Sequence, residues 1–240
     1  MQLNKFAYKG KGAATSRSRR PSLTGNARWD SLDNDTLHEI FQHFDDRQLG
    51  RLAQLDRRTR RVAYAATQTS LGLSDSQWAA FKAVMHRKES VLLMGTPGSG
   101  KSFLLKVLKD RIPNPLVTAS TGAAAERIAA WTIHSALGLG LADKPAKEIV
   151  KRLLAPSRGG RYYPKPCQTC DAIIVDEVSM LTAKTIDLAA KVVSMMRNKN
   201  MPQFVLSGDP MQLGAVGAEQ DGSFIDAELV KTLRPYVLVE

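Results

Sequence analysis

The residues with the clearest chemistry lie between positions 91 and 102, where an apolar run leads into a glycine-rich turn. The spacing Gly95-x-x-x-x-Gly100-Lys101-Ser102 is the phosphate-binding loop pattern, in which free backbone N–H groups at a helix start face phosphates. Lys101 is placed to reach the β- and γ-phosphates of ATP, and the Ser102 hydroxyl is placed to ligate Mg²⁺. The predicted nucleotide site comprises Gly95, Thr96, Pro97, Gly98, Ser99, Gly100, Lys101 and Ser102.

Two further polar motifs follow apolar runs that we predict to be strands. The first is Asp176-Glu177, and the second ends at Gln212. In P-loop ATPases an acid at the first position holds Mg²⁺, and a neighbouring glutamate can orient or deprotonate the attacking water. We therefore assign Asp176, with Ser102, to the metal and Glu177 to the water. A glutamine at this edge can bond the γ-phosphate, so the predicted catalytic set is Lys101, Asp176, Glu177 and Gln212.

A third stretch, residues 118–125, is rich in small and hydroxyl side chains. Small residues let a nucleic-acid backbone come close, and serine and threonine hydroxyls donate to phosphates. Thr118, Ser120 and Thr121 are therefore candidate DNA contacts. A P-loop ATPase that acts outside nucleic-acid metabolism is the alternative, and ATP chemistry alone gives no reason for this stretch.

The elements that must position these residues alternate between strands and helices from Leu73 onward. Ser74 is a candidate N-cap for the first of these helices, and the segment 183–197 has a helical pattern. Such alternation predicts an α/β fold with a parallel sheet covered by helices on both faces, in which ligands bind at the carboxyl ends of the strands. The predicted strands are 91–94, 116–119, 172–176, 203–207 and 237–239.

Composition and charge narrow the classes of partner. The chain has 240 residues and a net charge of +11, of which +7 lies in residues 1–29. We predict a disordered basic tail over 1–28, which serves as a nuclear signal, a phosphate-binding arm, a transit peptide or a simple solvated tail. A nuclear location is the first expectation and a mitochondrial one the second. No apolar run reaches the length of a membrane span, so no membrane partner is expected.

Residues 29–70 form a second predicted unit, made of two or three helices. Apolar residues recur there at helical spacing, with Ser31 or Asp33 as the first cap and Asp45-Asp46 at the next turn. The pattern of leucines and arginines resembles an F-box, which docks an adaptor subunit of ubiquitin ligases. Asp33 stands where that pattern usually has proline, and Thr59 lies near its usual tryptophan. An ordinary helical extension is the equal alternative.

Six motifs in order carry a wider resemblance, which covers about residues 73–240 and defines a predicted motor-lobe domain over 71–240. The chain resembles the first, RecA-like motor lobe of the petite-integration-frequency (PIF) DNA helicases of superfamily one. The resemblance implies ATP hydrolysis coupled to five-prime to three-prime tracking along single-stranded DNA, and a role in repair, recombination or telomere maintenance. It also implies that Gln77 reads the adenine and that Gln212 couples the γ-phosphate to the DNA site. By the same resemblance, Thr121, Gly122 and His134 lie along single-stranded DNA. Ala129-Ala130-Trp131 departs from the family, which usually has glycines before Thr-Ile-His.

The family's second lobe, with its arginine finger, has no counterpart before Glu240. We therefore expect this chain alone to hydrolyse ATP slowly and to need a second lobe, in cis or in trans, for unwinding. The alternative is an F-box-type adaptor that uses the lobe as a nucleotide-gated DNA platform. Two smaller features remain. Residues 158–165 are interpreted as a solvated loop rather than a DNA contact, and Cys167-x-x-Cys170 as structural or incidental rather than zinc-binding.

Overall fold

The computed structural model describes residues 31–155, 165–212 and 214–239. The predictions for the tail over 1–28 and for most of the loop 158–165 lie outside these residues. The chain divides into two compact units, Met1–Ala66 and Thr67–Glu240. Among the described residues, no helix is long and apolar enough to cross a membrane.

The first unit is helical. It contains α1 (Asn34–Phe41), α2 (Asp46–Leu52) and the start of α3 (Arg57–Leu71). Of the two predicted first caps, Ser31 and Asp33, it is Asp33 that caps α1, and the predicted turn at Asp45-Asp46 is the start of α2, which Asp45 caps. The unit has a small apolar core of its own, formed by Leu37, Phe41, Leu49, Ala53, Val62, Ala63 and Ala66.

The second unit is built on a six-stranded sheet in the order β3-β2-β4-β5-β1-β6, and all of its pairings are parallel. The predicted α/β fold with helices around a parallel sheet is thus confirmed. The strands are β1 (Val91–Met94), β2 (Pro115–Ala119), β3 (Trp131–Thr132), β4 (Ala172–Asp176), β5 (Gln203–Gly208) and β6 (Arg234–Val237).

The helices of the second unit connect these strands in the manner of repeated crossovers. Those before β4 are α4 (Asp75–Met85), α5 (Lys101–Arg111), α6 (Gly122–Arg127), α7 (Ile133–Ala136), α8 (Ala146–Leu154) and α9 (Pro166–Thr169). Those after it are α10 (Ala183–Met196), α11 (Ala218–Asp221) and α12 (Glu228–Thr232), with 3-10 turns at Val178–Met180 and Phe224–Asp226.

Burial explains why the central strands were predictable and the edges were not. Every residue of β4 is buried, as expected for a strand covered on both faces. The last strand was predicted at 237–239 but lies at Arg234–Val237, because β6 is an edge strand and tolerates Pro235. Strand β3 was not predicted, since two residues are too few to show a pattern.

Candidate active site

The phosphate-binding loop joins β1 to α5 through a turn that only glycine can make. Gly100 has a φ of 78°, and a Cβ there would overlap the side-chain amide of Gln77. A Cβ on Gly95 would lie 2.9 Å from the carbonyl oxygen of Leu238, next to β6. The loop therefore lies tightly between α4 and the end of the sheet, which fixes where the N-terminus of α5 points.

Lys101 is held by the loop itself. Its Nζ donates to the carbonyl oxygens of Gly95 at 2.6 Å and Thr96 at 2.9 Å. These two bonds keep the ammonium at the mouth of the loop, where a phosphate group could replace the carbonyl oxygens as its acceptor. Ser102, the next residue of the helix, is exposed beside it.

The two acids at the end of β4 differ in their surroundings. Asp176 is buried, and burial raises the pKa of its carboxyl, although an Oδ1 bond from the Glu177 N–H at 2.9 Å works against that rise. Glu177 adopts a left-handed backbone with φ 57°, which turns its side chain away from the strand direction. Its Oε1 accepts from Nη2 of Arg127 at 2.8 Å. A strained conformation at a strand end is a recurrent feature of functional sites.

Gln212 is positioned by a short turn after β5. The Asp209 carboxylate is buried and accepts from the N–H of Met211 at 2.9 Å, while its carbonyl accepts from the N–H of Gln212 at 3.1 Å. The Gln212 side chain is exposed at the strand end. The hydrogen bonds of the turn therefore fix the backbone at Gln212, while its amide side chain is exposed to solvent.

These residues meet around one cavity of about 410 Å³. It lies at the carboxyl ends of β1, β4 and β5, the position where open parallel sheets bind ligands. All four predicted catalytic residues line it, together with five of the eight residues of the predicted loop. The lining residues are Pro97, Gly98, Gly100, Lys101, Ser102, Phe103, Arg127, Asp176, Glu177, Gly208 and Gln212.

Gln77 contacts the phosphate-binding loop, and its predicted role in reading the adenine stays a prediction. It is buried at the start of α4, where its Oε1 accepts from the Ser74 N–H at 3.0 Å. Its Nε2 donates to the carbonyl oxygens of Ser99 at 3.5 Å and Gly100 at 3.4 Å. In this structure Gln77 braces the phosphate-binding loop from behind, so contact with adenine would require its amide to leave these partners.

The predicted DNA residues also divide into two groups. Thr118 is fully buried, and its Oγ1 donates to the carbonyl oxygen of Ile174 at 2.9 Å. The prediction that Thr118 contacts DNA is therefore wrong for this structure, because its position within the sheet gives its hydroxyl to a neighbouring strand. Ser120 is buried as well.

The remaining three lie where a ligand could reach them. Thr121 caps α6 and accepts from the Ala124 N–H at 3.2 Å, and Gly122 beside it is exposed. His134 in α7 is half-buried, and burial lowers the pKa of its imidazole, which favours the neutral form. Their roles in DNA binding stay predictions.

Sequence reasoning missed Arg127. The contact with Glu177 joins residues fifty positions apart in sequence, and nothing in the local pattern of α6 announces it. Cys167 and Cys170 agree with their structural interpretation: both are buried free thiols, and burial raises the pKa of Cys170 to about 11. No cluster of metal-binding side chains is present in the part of the chain that the structure describes.

Known proteins similar in sequence and structure to this chain include DNA helicases. Over 150 residues the chain is 35% identical to the human ATP-dependent DNA helicase PIF1, an alignment covering 60% of this chain and 22% of the relative. Over 153 residues it is 33% identical to the protein of that name from Emericella nidulans, covering 59% and 20%. The Pif1 helicase crystal structure from Candida albicans superposes with a TM-score of 0.61 at 29% identity, covering 70% of this chain and 40% of that one.

The chain thus spans about a fifth of the length of the curated relatives it matches. The match to a family model covers a larger share of this chain than the alignments to these relatives do. Residues 72–233, which include the phosphate-binding loop, both strand-end acids and Gln212, match the family described as AAA domain. Since this match covers well over half of the sequence, the chain belongs to the AAA domain family.

Proposed function

We propose that this chain is the nucleotide-binding motor domain of a PIF1-type ATP-dependent DNA helicase. It would bind Mg²⁺–ATP at the phosphate-binding loop and couple hydrolysis to movement along single-stranded DNA. The observation that carries the proposal is the single cavity where Lys101, Ser102, Asp176 and Glu177 meet at the carboxyl edge of the sheet. The relatives named ATP-dependent DNA helicase support ATP and DNA as the ligands. Unwinding belongs to the proposal for the whole protein.

The oxygen atoms at this cavity suit Mg²⁺. Ser102 offers a hydroxyl and Asp176 a carboxylate, and Mg²⁺ is usually held by one or two such groups together with substrate phosphates and water. The absence of a larger acidic cluster among the described residues fits this mode of binding. Burial disfavours the charged form of Asp176, and a divalent cation would compensate for that cost. Bound there, the ion would neutralise developing charge on the phosphates.

The other groups would act in sequence as ATP enters. Lys101 exchanges its two carbonyl partners for phosphate oxygens, which moves its charge by little and keeps the loop closed. Glu177 would orient the attacking water, and the Arg127 guanidinium that now holds its Oε1 would compete with that role. Gln212 lines the same cavity, where its amide could hydrogen-bond the γ-phosphate and respond to its loss.

Nucleotide binding is the direct test. We expect a fluorescent ATP analogue to bind the full chain in the presence of Mg²⁺, and Lys101→Ala to weaken binding and abolish turnover. Ser102→Ala should weaken binding chiefly in Mg²⁺ and much less in EDTA, because it removes a metal ligand only. Lys106→Ala is the matched control, since Lys106 is an exposed cation one turn along the same helix. Equal binding by Lys101→Ala and wild type would refute the assignment.

A second role, for the helical unit over 31–66, has a separate basis. The unit has its own apolar core, and Leu55 is 55% exposed between α2 and α3. We propose this surface as the docking point of a ubiquitin-ligase adaptor, in keeping with the F-box-like pattern. Capture of the purified adaptor by the full chain, lost in Leu55→Asp, would support the role. Failure of the wild-type chain to capture it would exclude the role without touching the ATP site.

A further inference from the structure

A tryptophan, Trp131, is exposed on the edge strand β3. Trp131 is 71% exposed, whereas Trp78 is 6% exposed. Single exposed apolar residues are ordinary on protein surfaces, so exposure by itself indicates no function. Here, the backbone on both sides of Trp131 is fixed, and the residue lies beside the segment predicted to meet DNA.

The chain reaches Trp131 through a tight turn that ends α6. Ala129 has a left-handed backbone with φ 49°, an uncommon conformation for a residue with a Cβ. Its N–H donates to the Glu126 carbonyl at 3.1 Å, and the Ala130 N–H donates to the Ala125 carbonyl at 2.9 Å. This pair of bonds is a Schellman-type helix end. The direction in which Trp131 leaves the helix is therefore set by the backbone.

Pairing of β3 with β2 fixes the backbone at Trp131 and after it. Trp131 pairs with Thr118 and Thr132 with Ala119, at the outer edge of the sheet. Thr121 lies three residues after Thr118, the pairing partner of Trp131, so it is about 10 Å farther along the strand direction. Thr132 leads directly into the helix of His134. One short stretch of DNA could thus touch all of these residues.

The local charge also suits a polyanion. Lys109 donates from Nζ to the carbonyl oxygen of Ile128 at 3.1 Å, which brings a positive charge to the turn before Trp131. Arg127, on the same segment, has a side chain that is 66% exposed, and DNA phosphates would compete with the Glu177 carboxylate for its guanidinium. Single-stranded DNA is bound elsewhere by this combination of cations for the phosphates and aromatic rings for the bases.

We propose that Trp131 is a stacking platform for one base of single-stranded DNA. The proposal rests on the proposed DNA-binding function and adds a base-contacting group to it. The indole ring would stack on a base, while hydroxyls and backbone N–H groups near Thr121 would bind the adjacent phosphates. Stacking is tolerant of sequence, because every base has a π-face.

The test compares ordinary and abasic DNA. With a labelled oligothymidylate and the full chain, Trp131→Ala should weaken binding roughly 5- to 100-fold, and Trp131→Phe should retain part of the affinity. With an abasic oligonucleotide of the same length, wild type and Trp131→Ala should bind equally. The ratio between the two proteins on oligothymidylate should stay constant as salt rises, since stacking releases no counterions. Leu141→Ala, which removes another exposed apolar side chain, should bind like wild type.

Each other outcome counts against the proposal. Equal binding by wild type and Trp131→Ala on oligothymidylate would overturn it and leave the ATP site and DNA binding intact. An equal loss on oligothymidylate and abasic DNA would show a general structural effect instead of stacking. Binding of the fluorescent ATP analogue by each variant shows that it is folded. If wild type binds that analogue but no DNA, the stacking site and the DNA part of the proposed function both fall, and the nucleotide site remains.

Discussion

Replacement of Arg127 by alanine should speed ATP hydrolysis in the absence of DNA. The Arg127–Glu177 ion pair is 2.8 Å long, but the two side chains are 66% and 25% exposed, so solvent screens it. Exposed pairs of this kind are worth about 0.2–1 kcal/mol. If Glu177 must break the pair to orient water, that energy adds to the barrier. Its removal should raise turnover about 1.4- to 5-fold.

The assay is steady-state ATP turnover of the full chain at saturating Mg²⁺–ATP, without DNA. Arg127→Lys should fall between wild type and Arg127→Ala, because it keeps the charge and loses the planar fork. The gain should shrink as salt rises, since salt screens exposed charges. Lys106→Ala controls for the loss of one positive charge. A tenfold fall in turnover for Arg127→Ala would refute the reasoning and show that the guanidinium serves the phosphates instead.

Three further predictions follow from the same geometry. Gly100→Ala should lower the melting temperature by about 2–4 °C per kcal/mol of strain and weaken nucleotide binding, because its Cβ would displace the Gln77 amide; unchanged thermal scans would contradict this. Burial raises the pKa of Asp176 in the folded state above its unfolded value. The free energy of unfolding therefore falls as pH rises from the unfolded to the folded pKa, because the buried carboxyl must then lose its proton. Asp176→Asn should therefore raise the melting temperature at pH 7, by an amount that narrows toward pH 4, while it removes ATP turnover; a lower melting temperature at pH 7 would count against it. With a pKa of about 11 and a buried position, Cys170 should react with iodoacetamide at pH 8 about 100-fold or more slowly than a free thiol, measured by mass spectrometry with and without denaturant; rapid native labelling would be the contrary result.

Much of the site could be predicted because its parts are strong local patterns. The apolar runs that became β1 and β4 are almost entirely buried; β1 leads into the phosphate-binding loop, and β4 ends at Asp176. Parallel strands bring such ends to one edge, so Lys101, Asp176 and Glu177 were expected to meet, and they do. Their chemical roles stay predictions.

What could not be predicted depends on long-range contacts. Thr118 was predicted to donate to a DNA phosphate, but its hydroxyl donates to the carbonyl oxygen of Ile174, fifty-six residues away in sequence. The pairing of Arg127 with Glu177 depends on how α6 is oriented after β2, which no periodicity encodes. The contacts that Gln77 makes with Ser99 and Gly100 were not predicted either, because they join α4 to a loop more than twenty residues away in sequence.

The central claim is that this domain couples ATP hydrolysis to single-stranded DNA. The most direct measurement is ATP turnover by the full chain with and without oligothymidylate, in parallel with Lys101→Ala. We predict measurable turnover by wild type, a rise when DNA is added, and no turnover by Lys101→Ala under either condition. Turnover that DNA leaves unchanged, or that persists in Lys101→Ala, would contradict the account.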